Sequence, residues 1–315
     1  MRASTVDIQI RDNLRRERWS RVRRMRLLYL SMLPALLLLF VFNYVPIYGI
    51  VIAFKNFQAS RGILGSPWNN FENFEVLFGS FQFQRVMRNT VIISVQRIVF
   101  GFPAPILLAL IINEFANSWW KKGIQSITYL PHFISWVVMA GILVEILSPQ
   151  RGIIGYLYTV LGQDAPLLLT NRSVFRPILI ATDVWKEVGW GSVIYLAAIS
   201  SIDPTMYDVA RIDGAGRVRQ ATAITLPSLL PVITILFILR LSGILNAGFD
   251  QIFNLYNELV YEVADIIDTY MYRVGILSQE FEFATAAGLF KNVVGVALIV
   301  LVNAVIRRFS DHGIW

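Results

Sequence analysis

The chain contains no cysteine and only two histidines, His132 and His312. Disulfide frameworks and thiolate metal sites are thereby excluded, and a histidine-based metal site or a histidine-centred triad finds little support. No His-Glu-x-x-His occurs either. Charge is also scarce: 16% of the 315 residues are Asp, Glu, Lys or Arg, against roughly 25% in a soluble domain. No Gly-x4-Gly-Lys-Ser/Thr loop is present, and Gly214-Ala215-Gly216 is too short a glycine pattern to cradle phosphates. The first apolar run, from about Leu27, lacks a small-residue cleavage site at its end and reads as a retained helix. No solenoid repeat, low-complexity tract or soluble domain is visible.

What the chain has is apolar length. Hydrophobic residues make up 56% of it, with a mean hydropathy of +0.57. Six apolar spans can be marked, at about 27–54, 87–113, 124–147, 175–199, 224–247 and 285–306. Each reaches the ~20 residues that a helix needs to cross a ~30 Å hydrocarbon core. The expected fold class is therefore an all-α polytopic membrane protein with six transmembrane helices, the membrane domain covering 27–309.

The net charge is +7, and it is clustered: nine arginines fall within residues 1–26. A basic tail can suggest nucleic acid, but directly before an apolar run it reads as an inside-facing anchor. Lys121 and Lys122, then Arg211, Arg217 and Arg219, then Arg307 and Arg308 lie on the same side if there are six crossings. The opposite loop 248–284 carries Asp250, Glu258, Glu262, Asp265, Asp268, Glu280 and Glu282 against Arg273 alone. The bias places the 1–26 segment, the 200–223 loop and the 310–315 tail in the cytoplasm. The outer loops 55–86 and 248–284 are rich in aromatic residues, which read first as interface anchors. Asn171-Arg172-Ser173 matches a glycosylation acceptor by three residues only.

The 200–223 loop is the most informative stretch. Asp203 is placed to cap a helix that starts at Pro204, and Gly214 suits the left-handed position that ends one. A second helix is expected to start before Ile224 and enter the fifth span, with Pro227 allowing a bend. A capped helix is rigid and can pass a partner's movement to the membrane; an amphipathic helix lying on lipid is the plainer alternative. The pattern Asp208-Val209-Ala210, three residues, Gly214, nine residues, Ile224-Thr225-Leu226-Pro227 resembles the "EAA" coupling loop of permease subunits in ATP-binding-cassette (ABC) importers.

The resemblance extends over nearly the whole chain from about residue 27. Tyr129-Leu130-Pro131-His132-Phe133-Ile134-Ser135-Trp136 is similar to the start of the third helix in oligosaccharide importer permeases. Trp68, Asn73-Phe74 and Asn89-Thr90 resemble the first outer loop and second helix of that group. Asp268-Thr269-Tyr270, Tyr272-Arg273, Ala284 to Lys291 and the closing Gly313-Ile314-Trp315 also fit. The chain thus resembles maltose-type (type I) carbohydrate ABC importer permeases, in the branch serving complex and acidic oligosaccharides such as alginate-derived ones. One departure is the loop's start, Asp208-Val209-Ala210 in place of Glu-Ala-Ala: Asp keeps the charge with a shorter reach, and Val adds bulk to a docking face.

The resemblance implies a bacterial cytoplasmic (inner) membrane subunit without enzymatic activity. Its expected partners are a second homologous permease, two ATPase subunits carrying ATP and Mg, an extracytoplasmic solute-binding protein and the oligosaccharide. It also implies ATPase-coupling roles for Tyr207, Asp208, Val209, Ala210, Arg211, Asp213, Gly214, Ile224, Leu226 and Pro227. The rival is a self-contained ion-coupled secondary transporter, which predicts an inverted internal repeat that is not evident.

Ionisable groups inside the spans cost about 2.5–3.5 kcal/mol each at the helix centre by insertion scales, so they pair or line a cavity. Candidates are Arg97, Asp183, Lys186, Glu187, Arg240 and Lys291, with Asn246 as a polar neighbour. Two readings stay open. In one, Lys186 pairs with Asp183 or Glu187, and Arg240 with a carboxylate on another helix. In the other, the cations face a wet pathway and attract an anionic sugar.

Overall fold

Backbone groups in hydrocarbon have no partner but one another, so long apolar runs must be helical. The computed structural model describes residues 25–115 and 118–309, and among them no strand forms beyond one isolated bridge, Lys55 to Trp68. Helices of membrane length and apolarity cover Arg26–Phe54, Phe81–Asn113, Arg217–Leu241 and Phe281–Ala304. A bent pair, Trp119–Phe133 and Trp136–Ile146, supplies a further candidate span. Arg172–Ser200 is long enough at 29 residues but is marked by Arg172, Arg176, Asp183, Lys186 and Glu187.

Proline shapes several of these. It lacks an N–H and its ring crowds the preceding turn. The first span widens to a π-turn at Phe40–Tyr44 just before Pro46, then tightens to 3-10 over Val45–Phe54. The fifth widens at Ala221–Thr225 before Pro227 and continues as Leu226–Ser242. At Pro227, where a bend is expected, the wide turn takes up the missing hydrogen bond and the helix stays continuous through its entry into the membrane. The third span breaks outright. Pro131 ends it in a 3-10 turn, Ser135 restarts it by accepting the Val138 N–H, and the halves meet at 107°.

The fourth span lies at the centre, packed on the second, third and fifth. Two glycines allow the approach. A Cβ at Gly189 would lie 2.0 Å from the Thr128 carbonyl oxygen, and one at Gly191 2.9 Å from the Pro105 ring. Small residues at such contacts are how membrane helices pack closely. Asn171 caps this span, its Oδ1 accepting from the Ser173 N–H and Oγ–H at 3.0 and 2.8 Å. The Asn-x-Ser match is therefore accounted for by a helix cap.

The outer segments fold back onto the bundle. Asn89 donates to the carbonyls of Glu262 and Asp265 at 3.1 and 3.0 Å, while Arg176 donates to Val263 O and Asn89 Oδ1 at 2.8 and 2.7 Å. Asp265, fully buried, is paired with Arg273 at 2.5 Å. The helix Phe249–Leu255 is seated between the spans by its own Gln251, bonded to Leu179 and Thr182 of the fourth span, with Gln251 and Ile252 fully buried. In contrast, nothing in Arg26–Tyr44 is buried. A surface of that kind is stable only against lipid or other apolar protein.

Candidate functional site: an inner docking helix and a charged intramembrane cavity

The inner helix spans Pro204–Ile212. Asp203 caps it, Oδ1 accepting the Thr205 N–H at 2.9 Å. That backbone hydrogen bond, with one from the Thr205 side chain, holds the Asp203 carboxyl below its usual range, so the cap is ionised at neutral pH. A cap whose carboxyl is depressed in this way contributes its stability above the unfolded pKa and loses it as pH falls through the folded one. The helix ends at Gly214, whose φ of +75° is the left-handed conformation an L side chain resists. The Gly214 and Ala215 N–H groups then close onto the carbonyls of Arg211 and Ala210 at 3.0 and 2.8 Å. Both ends of the element are thus specified by local chemistry.

Its two faces differ. Tyr207 and Ala210 turn toward the bundle, and Tyr207 Oη shares a 2.9 Å hydrogen bond with Thr225 Oγ1 in the π-turn that begins the fifth span. Ile224 and Leu226 flank that threonine, half-buried, while Pro227 is exposed. The outer face presents Met206, Val209 and Ile212, with Ile212 86% exposed. Asp208 and Arg211 pair at 3.1 Å beside them, and Asp213 is exposed at the end. Arg217 reaches Glu114 at the inner end of the second span, 3.6 Å away. An apolar strip with a polar rim on a rigid helix has the anatomy of a protein interface.

Deeper in, the charges sort themselves. Arg97 Nη1 lies 3.1 Å from Asp183 Oδ1, and Arg97 also donates to Gln251 Oε1. Gln251 in turn donates to Leu179 O and Thr182 Oγ1 at 2.9 and 2.7 Å. Asp183 is thereby committed to Arg97, not to Lys186. Lys186 donates to His132 O at 2.7 Å and lies 3.5 Å from Glu187, so its ammonium holds the broken turn of the third span. Glu187 Oε2 meets His132 Nδ1 at 2.9 Å, a contact that requires a proton between them, and the His132 ring stacks on Trp190 at 4.9 Å. Lys291 pairs with Asp268 at 2.5 Å. Arg240 forms no direct ion pair among the described residues, but Asp183 of the neighbouring fourth span lies close enough to act on it electrostatically, so the expected pairing is present only at longer range. Three cations, Arg97, Lys186 and Arg240, thus face two carboxylates, Asp183 and Glu187, an excess of one positive charge.

Three cavities follow one another along these residues. The outermost, about 560 Å³, is lined by Asn246, Phe249, Asp268, Tyr272 and Lys291 among others. Asn246 also lines the next, about 220 Å³, with Ser94, Arg97 and Arg240. Both arginines then line the third, about 410 Å³, with Trp136, Asp183, Glu187 and Trp190. Of the intramembrane candidates, Lys186 alone lines none of the three. The sequence reading missed Gln251, Gly248, Ser94 and Asp268 as parts of this region. Gln251 and Gly248 lie in a polar segment that reads as an outer loop, and no pattern in it signals the return into the bundle.

Known proteins agree with this architecture. Residues 101–311 match the family of binding-protein-dependent transport system inner membrane components. The Bacillus subtilis polygalacturonan/rhamnogalacturonan transport system permease protein YteP is 41% identical over 91% of this chain and 90% of its own length. Protein LplB of the same organism is 38% identical over 96% and 92%. Among solved structures, a chain from a bacterial ABC transporter that imports the acidic polysaccharide alginate superposes with a TM-score of 0.86, at 42% identity, over 93% of this chain and 99% of that one. A second structure of a bacterial alginate ABC transporter, in complex with its periplasmic protein bound to an alginate pentasaccharide, superposes equally well. These matches set aside the self-contained secondary transporter. The chain belongs to the inner-membrane permease components of binding-protein-dependent ABC transport systems, and it is a transport subunit with the type I importer permease fold.

Proposed function

We propose that this chain forms half of the translocation pathway for an acidic oligosaccharide, built from uronic acids, in an ATP-driven importer that works by alternating access. The observation that carries the reading is the inner helix Pro204–Ile212: capped at both ends, exposed along an apolar strip, and bonded through Tyr207 to the foot of the fifth span. ATP and Mg reside on separate ATPase subunits, two per complex, one of which docks on this strip from the cytoplasm. Closure of those subunits pushes the helix, and the push turns the bundle toward an extracytoplasmic binding protein that delivers the sugar. A second, homologous permease completes the pathway. Both termini lie in the cytoplasm, on the side of the arginine cluster.

The acidic substrate class is supported by the smallest of the three cavities, which Arg97 and Arg240 line without a carboxylate, and by the substrates named for YteP and for the alginate importer. Trp136 and Trp190 in the innermost cavity offer apolar faces of the kind sugar rings stack on.

Affinity purification from native membranes through a tag on residues 1–26 tests the assembly. A second permease and an ATPase should co-purify, and both should be lost on Gly214→Pro, because proline's φ near −65° cannot take the +75° found there. A chain that purifies alone yet moves sugar when reconstituted would defeat the proposal.

A further inference from the structure

We infer that the cavity of about 220 Å³ between the second and fifth spans is a subsite for one compact oxyanion, gripped by Arg240 with help from Arg97 and Ser94. It rests on the acidic-sugar reading for its physiological occupant, the carboxylate of a passing uronic acid. A free inorganic anion shares that chemistry.

Four observations converge on this cavity. Arg240 lines it and is paired with no carboxylate among the described residues. Arg97 lines it too; two of its nitrogens are engaged by Asp183 and Gln251, but its Nε is buried without a partner. Ser94 Oγ is likewise buried and unpartnered, on a residue 3% exposed. The direct contacts of the nearby acids go elsewhere, Asp183 to Arg97 and Glu187 to His132 and Lys186, and Asp183 acts on Arg240 only at longer range. Two guanidinium groups, one of them paired from behind by Asp183, therefore line a cavity that also holds the unpartnered Arg97 Nε and Ser94 Oγ and that no carboxylate lines. A membrane interior does not retain such an arrangement cheaply unless water or an anion fills it.

The volume limits the occupant. At ~30 Å³ per water it holds about seven waters, enough for a carboxylate and the edge of its ring but not for an oligosaccharide. The planar fork of arginine suits a two-oxygen acceptor, and a serine hydroxyl adds one directional bond. The cavity is also the smallest of the three in series, so it admits one charged unit of a passing chain at a time. Asn246, shared with the outer cavity, and Arg97 and Arg240, shared with the inner one, are the hand-over points.

The test uses the complete importer, with binding protein and ATPases, in proteoliposomes. Uptake of labelled trigalacturonate is measured against concentration for wild type, Arg240→Gln, Arg240→Lys and Ser94→Ala, with assembly verified by subunit co-purification. Loss of a charge-assisted hydrogen bond predicts a fall in kcat/KM of about tenfold or more for Arg240→Gln. Ser94→Ala should fall about threefold, and Arg240→Lys should recover part of the loss. A parallel arm reads the thermal-unfolding midpoint of the complex in nanodiscs with phosphate, at matched ionic strength. A phosphate shift that disappears in Arg240→Gln while sugar uptake is unchanged assigns the subsite to a free anion. An assembled Arg240→Gln complex with wild-type uptake and a wild-type phosphate response overturns the subsite. A wild-type complex that imports neutral but not acidic saccharides overturns the acidic-sugar reading instead, and the phosphate arm then decides the subsite alone.

Discussion

Gly248 shows how one residue sets the intramembrane chemistry. Its φ is +90°, and a Cβ there would lie 2.2 Å from Arg97 Nη2 and 2.4 Å from Cζ. The guanidinium that pairs with Asp183 occupies the space a side chain would need. Gly248→Ala carries two penalties: about 1–3 kcal/mol for a non-glycine residue held at that φ, and displacement of Arg97 from a pair that is costly to break inside the bundle. The variant complex should unfold at a lower temperature, and acidic-sugar uptake should fall with it. A variant with wild-type melting and uptake would show that Arg97 is not seated against Gly248. At this scale the sequence is half informative. Arg97 and Asp183 stand out as charges in apolar runs, but nothing in the chain says that they choose each other or that Gln251 completes the set. That choice depends on Phe249–Leu255 folding back between the spans, where Gln251 bonds Leu179 and Thr182, while Asn89 and Arg176 hold the segment that follows it.

At the scale of elements, the contact between the third and fourth spans is the tightest backbone approach that glycine permits here. A Cβ at Gly189 would fall 2.0 Å from Thr128 O and 2.3 Å from Thr128 C, where only backbone could yield. The same seam is held by Lys186 donating to His132 O across the break at Pro131. Gly189→Ala should therefore force the third span away from the fourth at a cost of about 3 kcal/mol or more, above the usual range for overpacking. Recovery of assembled complex from membranes should drop sharply. Gly141→Ala, at a glycine with nothing within 4 Å, should leave recovery unchanged and serves as the control. Equal recovery for the two variants would mean the spans are not in backbone contact. The all-helical fold is legible from apolar run length, because hydrocarbon leaves the backbone no other solution. The helix breaks are legible only in part. Pro131 and Pro227 look alike in sequence, yet one ends its helix and the other is absorbed by a π-turn. The difference lies in their surroundings: Lys186 and Gly189 grip the first, while the second is exposed where the chain enters the membrane.

For the whole molecule, the question is how a push on the inner helix reaches Arg240. The path is short and continuous. Tyr207 bonds Thr225, Thr225 closes the π-turn, and Leu226–Ser242 runs without interruption to the arginine. At 1.5 Å rise per residue the stretch from Leu226 to Arg240 is a rod of about 21 Å. The sequence makes the rod's inner end recognisable through Asp203, Pro204 and Gly214, but the hydroxyl-to-hydroxyl bond of Tyr207 depends on packing and has no signature of its own. Two substitutions separate docking from transmission. Val209→Asp alters the exposed strip and should weaken ATPase attachment, so that sugar uptake and sugar-stimulated ATP hydrolysis fall together. Tyr207→Phe leaves the strip intact and removes one hydrogen bond, with a net value of about 0.5–1.5 kcal/mol. Because that bond joins the moving helix to the rod, its loss should lower uptake per ATP hydrolysed by about two- to fivefold while hydrolysis continues. Simultaneous measurement of labelled sugar and released phosphate in the same proteoliposomes gives the ratio directly. If Tyr207→Phe keeps the wild-type ratio, the push travels through the chain connections at the two ends of the inner helix and not through the tyrosine, and the hydroxyl pair is only a fastening.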